Sequence, residues 1–244
     1  MSRMSIKAAG TLALCGALMV LAACNGRAAP RADAEVPSTE FPAAHRPVAP
    51  IVSSRWSTEE ARDRLQEAGR VMDLSGIKPG MTVADIGAGE GYYTVRLAER
   101  VGPKGRVLAQ DVVPEVRDRL ADRVYREKLD NVSVQLGAPG DPRLPANSFD
   151  RVLMVHMYHE IAAPYEFLWR LRPSLRAGGK VVIVDADRPT AEHGTPPGLL
   201  ECELKAVGYA QTEATTLPQA GTYIRVFTPM GPRPEPDAIR VCRL

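Results

Sequence analysis

The feature that most constrains the fold of this chain is the alternation of short apolar runs with stretches of helical periodicity between residues 81 and 184. A repeated order of strand, helix and strand predicts a parallel sheet with helices covering both faces. The run at 181–184 has no polar residue at alternate positions, as a strand buried on both faces requires. The predicted strands are 81–86, 107–110, 132–134, 152–155 and 181–184, and helices are predicted to begin at Tyr92, Glu115 and Pro164.

The pattern changes after Asp187, where the sheet is predicted to close. A helix over 199–207 precedes two strand-like runs, 210–216 and 222–227, which are joined by a segment containing Pro218 and Gly221. These two runs predict an antiparallel pair. The predicted fold class is therefore α/β, with a doubly wound, seven-stranded, mostly parallel sheet and a closing antiparallel strand pair.

The segments on either side of this pattern set the predicted domain boundaries. Ser57-Thr58-Glu59-Glu60 is a capping box, and the apolar residues after it, Ala61, Leu65, Ala68 and Met72, fall on one helical face. Residues 24–54 are rich in Ala and Pro without a helical or alternating period, which predicts an extended tether. We therefore expect a domain over 55–230 and an irregular tail over 231–244.

The N-terminus has the pattern of an export signal. Arg3 and Lys7 precede an uncharged apolar run over 8–23, which is too short for a comfortable membrane span and is typical of a signal peptide at 1–23. The run ends in Leu21-Ala22-Ala23-Cys24, which resembles a lipobox with Cys24 as the acylated residue. This predicts a lipoprotein on the periplasmic side of a bacterial envelope, whose only membrane contact is its lipid anchor. The alternative is a cytoplasmic protein, if the N-terminus is not a genuine signal.

Charge and cysteine content narrow the possible partners. Of the 31 Lys and Arg residues, Arg3 and Lys7 belong to the predicted signal, which leaves 29 bases against 29 acids. The chain after the predicted signal peptide therefore has no net charge, and its charge does not indicate binding to nucleic acid. The body contains two cysteines, Cys202 and Cys242, and the sequence leaves open whether they pair. The oligomeric state is also left open.

A glycine-rich turn lies where the first predicted strand passes into a helix. Glycines at 87, 89 and 91 allow a sharp turn and let a ligand approach main-chain N–H groups. A dinucleotide-binding loop would place its third glycine at position 92, where this chain has Tyr92. The run reads Val83-Ala84-Asp85-Ile86-Gly87-Ala88-Gly89-Glu90-Gly91.

This turn resembles the first motif of the class I S-adenosylmethionine-dependent methyltransferases, and the resemblance extends over about residues 76–227. Asp111 ends the next strand, where the family places the acid that binds the ribose hydroxyls. The resemblance implies S-adenosylmethionine as the cofactor. The residues it assigns to cofactor binding are Asp85, Gly87, Ala88, Gly89, Gly91 and Asp111.

Later segments match the family less uniformly. Many relatives place a Gly-Asp pair after the third strand to bind the adenine amino group, whereas this chain has Ala138 at the nearest position and Asp141 further on. The resemblance implies that a backbone group at Ala138 or the displaced Asp141 takes this role. Two further matches are Ser148-Phe149-Asp150 before the fourth strand and the double glycine of 175–180 before the fifth.

The candidate catalytic residues are His156 and His159, which follow the fourth strand at the edge where open α/β sheets bind ligands. Either histidine is a candidate general base. His156, His159 and Glu160 together are an alternative metal site, and packing and bracing roles are a third interpretation. Methyl transfer from a sulfonium often needs only proximity and alignment of the acceptor with the methyl group. We therefore predict no metal site and leave open whether a general base is used.

Two functions are compatible with these patterns. The first is a methyltransferase that transfers the methyl group of S-adenosylmethionine to a small or medium-sized acceptor. The second is a non-catalytic envelope lipoprotein that retains the fold as a ligand- or protein-binding module. The intact glycine turn and Asp111 favour the first, whereas export away from the site of cofactor synthesis favours the second.

Overall fold

The computed structural model of the protein describes residues 39–51, 58–218 and 221–243. The predicted signal peptide, Cys24 and Ser57 lie outside these ranges. The strands are β1 (Thr82–Ile86), β2 (Arg106–Asp111), β3 (Val132–Leu136), β4 (Phe149–Val155), β5 (Leu175–Asp185), β6 (Tyr209–Leu217) and β7 (Thr222–Pro229). The α-helices are α1 (Glu59–Arg64), α2 (Glu67–Leu74), α3 (Tyr92–Val101), α4 (Pro114–Arg126), α5 (Pro164–Leu171) and α6 (Pro197–Ala206).

The seven strands form one sheet in the order β3-β2-β1-β4-β5-β7-β6. The first five strands are parallel, and β7 is antiparallel to both β5 and β6. This confirms the predicted fold class, including the closing antiparallel pair. The change of strand order next to β1 places the ends of β1, β2 and β4 together at one edge.

The central strands are buried on both faces. Val181 and Ile183 belong to a core that α5 and α6 cover, whereas Val182 and Val184 belong to a core that α2 and α3 cover. All four side chains have no exposed surface. The run at 181–184 is therefore apolar throughout because the strand is buried on both faces, as the sequence indicated.

The N-terminal helical region differs from the single amphipathic face expected from the sequence. It forms two helices, because Gln66 adopts a left-handed conformation (φ 53°) between α1 and α2. Thr58 caps α1 by accepting a hydrogen bond from the N–H of Ala61. Helix α1 has no buried residue, and Leu65 is 39% exposed. Only α2 contributes side chains to the core.

Residues 39–51, which we call the strap, pack on the domain, although the sequence placed them in an extended tether. Phe41 is buried edge-on against Trp169, with ring centroids 5.3 Å apart. Arg46 Nε lies 2.9 Å from Glu203 Oε1, and both side chains are 1% exposed. The strap has no helix or strand, so its contacts produce no periodic pattern in the sequence.

Within its described residues, the C-terminal tail has one 3-10 helix, at Pro236–Ala238, and no α-helix or strand. It is nevertheless fixed to the domain, because Cys242 forms a disulfide with Cys202 of α6. Trp169 Nε1 also donates a hydrogen bond to the carbonyl of Pro234. Within the described ranges, no helix is long and apolar enough to span a membrane.

Candidate active site

A cavity of about 300 Å³ opens at the ends of β1, β2 and β4. Its lining includes the glycine turn after β1, Gln110 and Asp111 of β2, and His156 after β4. Open α/β folds bind ligands at this edge, where the strand order reverses. The volume is at the lower end of the range typical of small-molecule sites.

The glycine turn adopts a conformation that side chains disfavour. Gly87, Gly89 and Gly91 have φ values of 66°, 57° and 91°. A Cβ atom on Gly87 would lie 2.9 Å from Cγ of Met157, and one on Gly91 would lie 2.6 Å from a methyl carbon of Leu120. The glycines are therefore needed both for the turn and for the packing around it.

Asp111 is held at the edge of this turn by two main-chain groups. Its Oδ2 accepts a hydrogen bond from the N–H of Gly89, and its Oδ1 accepts one from the N–H of Val113, both at 3.0 Å. The residue is 5% exposed and lines the cavity. Each carboxylate oxygen has a further lone pair, so the fixed carboxylate can still accept hydrogen bonds from a diol.

Asp85 is another carboxylate of the cavity, near the end of β1. Its side chain accepts a 2.7 Å hydrogen bond from Thr94 Oγ1 of α3. Burial raises the pKa of the Asp85 carboxyl from 3.8 to about 6, although the Thr94 hydrogen bond lowers it. A buried carboxylate of this kind is stabilised by a cationic ligand group.

Gln110 is a lining residue that the sequence analysis missed. It is 1% exposed, and neither its Nε2 nor its Oε1 has a hydrogen-bond partner within the described residues. Gly137 makes room for this side chain, because a Cβ there would lie 1.3 Å from Gln110 Nε2. A glutamine beside the acid at the end of an apolar strand was the available signal.

The two predicted adenine-binding positions do not line the cavity. Ala138 and Asp141 pair with each other through main-chain hydrogen bonds. The Asp141 carboxylate accepts a hydrogen bond from the N–H of Arg143 and lies 3.7 Å from Arg170. The cavity is lined in this region by Pro139. The structure therefore does not bring Asp141 together with the glycine turn.

Helix α1, which we call the lid, covers one side of the cavity. Arg62 of α1 lines it and stacks on Tyr92, with its guanidinium carbon 3.8 Å from the ring centroid. Glu59 pairs with Arg96 and Arg123. Asp63 also pairs with Arg96. The lid therefore rests on the first turns of α3 and on α4 mainly through charged groups.

His156 belongs to a buried polar network under the lid. Its Nε2 lies 3.4 Å from Oε1 of Glu67, which also accepts hydrogen bonds from Arg62 and Tyr93. Burial alone would raise the pKa of the Glu67 carboxyl, but His156 and Arg62 outweigh burial and lower it to about 2. The ionised Glu67 therefore orients His156, which lines the cavity in a left-handed conformation (φ 54°).

His159 is placed differently from His156. It has no exposed surface and does not line the cavity. Its Nδ1 lies 3.0 Å from Oδ1 of Asp185, the last residue of β5. Of the two candidate bases, only His156 is therefore in a position to contact a ligand in the cavity.

Comparison with known proteins was consistent with this geometry. Residues 83–179 match the family model described as a methyltransferase domain. The chain is 40% identical over 118 residues to nocamycin O-methyltransferase of Saccharothrix syringae, covering 46% of this chain and 41% of that protein. It is 30% identical over 123 residues to the ubiquinone/menaquinone biosynthesis C-methyltransferase UbiE of Hahella chejuensis, covering 49% of this chain and 48% of that protein. The chain thus spans about half or less of the length of these curated relatives.

Solved structures show the same fold over most of the chain. A SAM-dependent methyltransferase from Aquifex aeolicus superposes with a TM-score of 0.62 at 24% identity, covering 70% of this chain and 98% of that one. Fibrillarin of Aeropyrum pernix, solved with bound S-adenosyl-L-methionine, superposes with a TM-score of 0.52 at 18% identity, covering 65% and 73%. The cyclase SpnF superposes with a TM-score of 0.58 at 18% identity, covering 77% and 88%. The described residues therefore have the class I methyltransferase fold.

Proposed function

We propose that the protein transfers the methyl group of S-adenosylmethionine to a small or medium-sized acceptor in the cell envelope. The observation that carries this proposal is the Asp111 carboxylate, which the N–H groups of Gly89 and Val113 hold at the glycine turn inside the cavity. That arrangement fits a ligand with a vicinal diol and no phosphate, which is the chemistry of the cofactor's ribose. When bound, S-adenosylmethionine supplies a methyl group on a positively charged sulfur.

The lining residues fit the other parts of the cofactor. The Asp85 carboxylate would neutralise the cationic methionine portion near the turn. The buried amide of Gln110, rather than Asp141, would hydrogen-bond the adenine. Val112 and Pro139 supply apolar lining for the base. The adenine contact would satisfy the buried Gln110 amide, which has no hydrogen-bond partner within the described residues.

The acceptor side of the cavity is largely apolar. Ile51 of the strap, Met157, Ile161 and Phe167 line it, together with the polar side chains of Glu160 and of His156, which Glu67 orients. Such a lining favours an acceptor with an apolar body. The protein would accelerate transfer mainly by aligning the acceptor with the methyl group and excluding water, and His156 would accept a proton from an acceptor that must lose one.

Cofactor binding is the first test. We expect isothermal titration calorimetry to detect binding of S-adenosylmethionine to the purified protein. Substitution Asp111→Ala should weaken binding by about 1.5–3 kcal/mol, the usual contribution of hydrogen bonds to a charged group, while the variant remains folded without ligand, as thermal unfolding checks. Equal affinities would remove Asp111 from the site, and no binding at millimolar cofactor would refute the proposed reaction.

We propose further that the protein is exported and anchored through Cys24, and the Cys202–Cys242 disulfide supports this because such bonds persist in oxidising compartments. Mass spectrometry of the protein from a bacterial host should find an acylated Cys24 at its N-terminus. An unprocessed N-terminus on soluble protein would favour the cytoplasmic alternative.

A second candidate function is a non-catalytic binding module. The same disulfide favours this function, because it supports export and the cofactor is made in the cytosol. The superposition with the cyclase SpnF shows that the fold is not restricted to proteins described as methyltransferases. A melting temperature that does not rise with saturating S-adenosylmethionine would select this function, since a ligand that binds the folded state must stabilise it.

A further inference from the structure

Three side chains of metal-binding type meet beside the cavity: His159, Glu160 and His193. One ligand atom from each lies within 4.8 Å of the other two. His159 and Glu160 belong to a 3-10 helix that follows β4, and His193 ends a 3-10 helix that follows β5. The two segments meet because β4 and β5 are neighbouring parallel strands whose ends share one edge of the sheet.

We propose that His159, Glu160 and His193 bind a divalent transition-metal ion, with Zn²⁺ as the best fit to these ligands. Two imidazoles and a carboxylate, with a fourth position left open, are a ligand set of catalytic zinc sites. Tetrahedral Zn²⁺ with bonds of about 2.0–2.1 Å requires ligand atoms about 3.3 Å apart. Glu160 and His193 are only partly buried, so side-chain rotation can bring their atoms to that spacing.

The first support is the orientation of His159. Its Nδ1 is engaged with the Asp185 carboxylate at 3.0 Å, which directs Nε2 to act as the ligand atom. Both residues have no exposed surface. A carboxylate that holds the far nitrogen of a ligating histidine is the usual outer partner in metal sites, where it fixes the ring and raises its basicity.

The same carboxylate also fixes the segment that carries His193. Asp185 accepts a 2.7 Å hydrogen bond from the hydroxyl of Thr195, two residues beyond His193. The N–H of Thr195 donates to the carbonyl of Ala186 at 2.9 Å, which closes the loop. His193 itself has φ 58°, a conformation uncommon for residues other than glycine. One buried acid therefore positions both histidines.

The strap is hydrogen-bonded to both segments that carry the cluster. The N–H of Ala49 donates to the carbonyl of His159 at 3.2 Å. The hydroxyl of Thr190 donates to the carbonyl of Pro47 at 2.7 Å, which ties the strap to the 3-10 helix before His193. Both segments that carry the ligands are thus hydrogen-bonded to the strap, as a preorganised metal site requires.

This site differs from the metal site considered from the sequence. His156 faces Glu67 under the lid and is not part of the cluster, whereas His193, 34 residues beyond His159, takes its place. Glu160 both belongs to the cluster and lines the cavity, so an ion held here would lie at the cavity edge. Under the proposed function, on which this step rests, that position favours acceptors that carry an oxygen or nitrogen able to bind the ion.

The test measures Zn²⁺ binding to the full protein purified without a histidine tag. We expect wild type to retain one equivalent of Zn²⁺ after dialysis against metal-free buffer, as measured by plasma mass spectrometry. His193→Gln should lose more than about 100-fold in Zn²⁺ affinity, because it removes a ligand outright and loss of an outer partner alone costs 10–100-fold. Glu160→Gln should also lose affinity, since it removes the charge while keeping the side-chain size.

His45→Gln is the matched control, because His45 is an exposed histidine of the strap outside the cluster. It should retain one equivalent of Zn²⁺. Thermal unfolding without metal checks that each variant is folded. The proposal is overturned if wild type retains well below one equivalent, if His193→Gln and Glu160→Gln bind as tightly as wild type, or if the control loses binding as they do.

Calorimetric titration of the metal-free protein with S-adenosylmethionine, run in parallel, separates this proposal from the proposed function. Cofactor binding without Zn²⁺ binding would remove the metal site and leave the methyltransferase. Zn²⁺ binding to the cluster without cofactor binding would leave the metal site and refute the proposed methyltransferase function. We expect both ligands to bind, because the cluster lies outside the glycine turn and Asp111.

Discussion

Removing the guanidinium of Arg46 should destabilise the protein far more than removing an ordinary arginine. Arg46 pairs with Glu203, whose other oxygen, Oε2, accepts a 2.8 Å hydrogen bond from the Tyr158 hydroxyl. Both charged side chains are 1% exposed, so Arg46→Met leaves a buried carboxylate whose remaining side-chain partner among the described residues is a neutral hydroxyl. Breaking a buried pair in this way costs about 3–5 kcal/mol. For a domain of this size, that corresponds to a melting temperature about 6–20 °C lower.

The assay is thermal unfolding under non-reducing conditions, with two comparison variants. Arg119→Met removes an exposed arginine of α4 and should change stability by less than about 0.5 kcal/mol. Arg46→Met combined with Glu203→Gln removes the buried charge while keeping an acceptor for Tyr158, so it should be more stable than Arg46→Met alone. A single variant that melts within about 2 °C of wild type, or a double variant below the single one, would refute the reasoning.

Three further outcomes are expected. Gly89→Val should abolish cofactor binding, because Gly89 has φ 57° and lies at the turn, and we expect S-adenosylmethionine to raise the melting temperature of wild type but not of this variant. Cys242→Ser should lower the free energy of unfolding by about 4 kcal/mol, because the disulfide closes a loop with a sequence separation of 40 residues and so reduces the entropy of the unfolded chain. Denaturant unfolding of wild type and variant measures this difference. Folding raises the pKa of Asp85 from 3.8 to about 6. The protonated carboxyl therefore stabilises the folded state by ~3 kcal/mol below pH 3.8, and this contribution is lost as pH rises through about 6. Denaturant unfolding from pH 4 to 7 should therefore show a fall for wild type that Asp85→Asn lacks, and parallel pH profiles would contradict the assignment.

The sheet could be predicted from the sequence because its signals are local. Each central strand is an apolar run bounded by turn residues, and burial on both faces is sufficient to explain the run at 181–184. The glycine turn and Asp111 were likewise predicted together, since they end consecutive strands that pair in the structure. The hydrogen bond from the N–H of Gly89 to the Asp111 carboxylate is possible because β1 and β2 are parallel neighbours that end at the same edge of the sheet.

The features that could not be predicted depend on contacts between distant residues. Arg46 and Glu203 are 157 residues apart, so no periodicity marks the strap as part of the domain. The Cys202–Cys242 pairing depends on where the irregular tail returns to α6. Gln110 and Gly137 are complementary only after β2 and β3 have paired. The break at Gln66 replaced a helix whose apolar spacing was continuous in the sequence.

The way in which the lid is attached has a consequence for how fast ligands enter and leave. Helix α1 has no buried residue, and ion pairs hold it in place: those of Glu59 and Asp63 are partly exposed, whereas Arg62 pairs with the buried Glu67. The exposed pairs contribute about 0–1 kcal/mol each and weaken as salt is added. Opening of α1 therefore costs much less than unfolding of the sheet. Ligand exchange rates should rise with ionic strength while the melting temperature of the domain changes little, so ligand exchange and thermal stability are set by separate parts of the molecule.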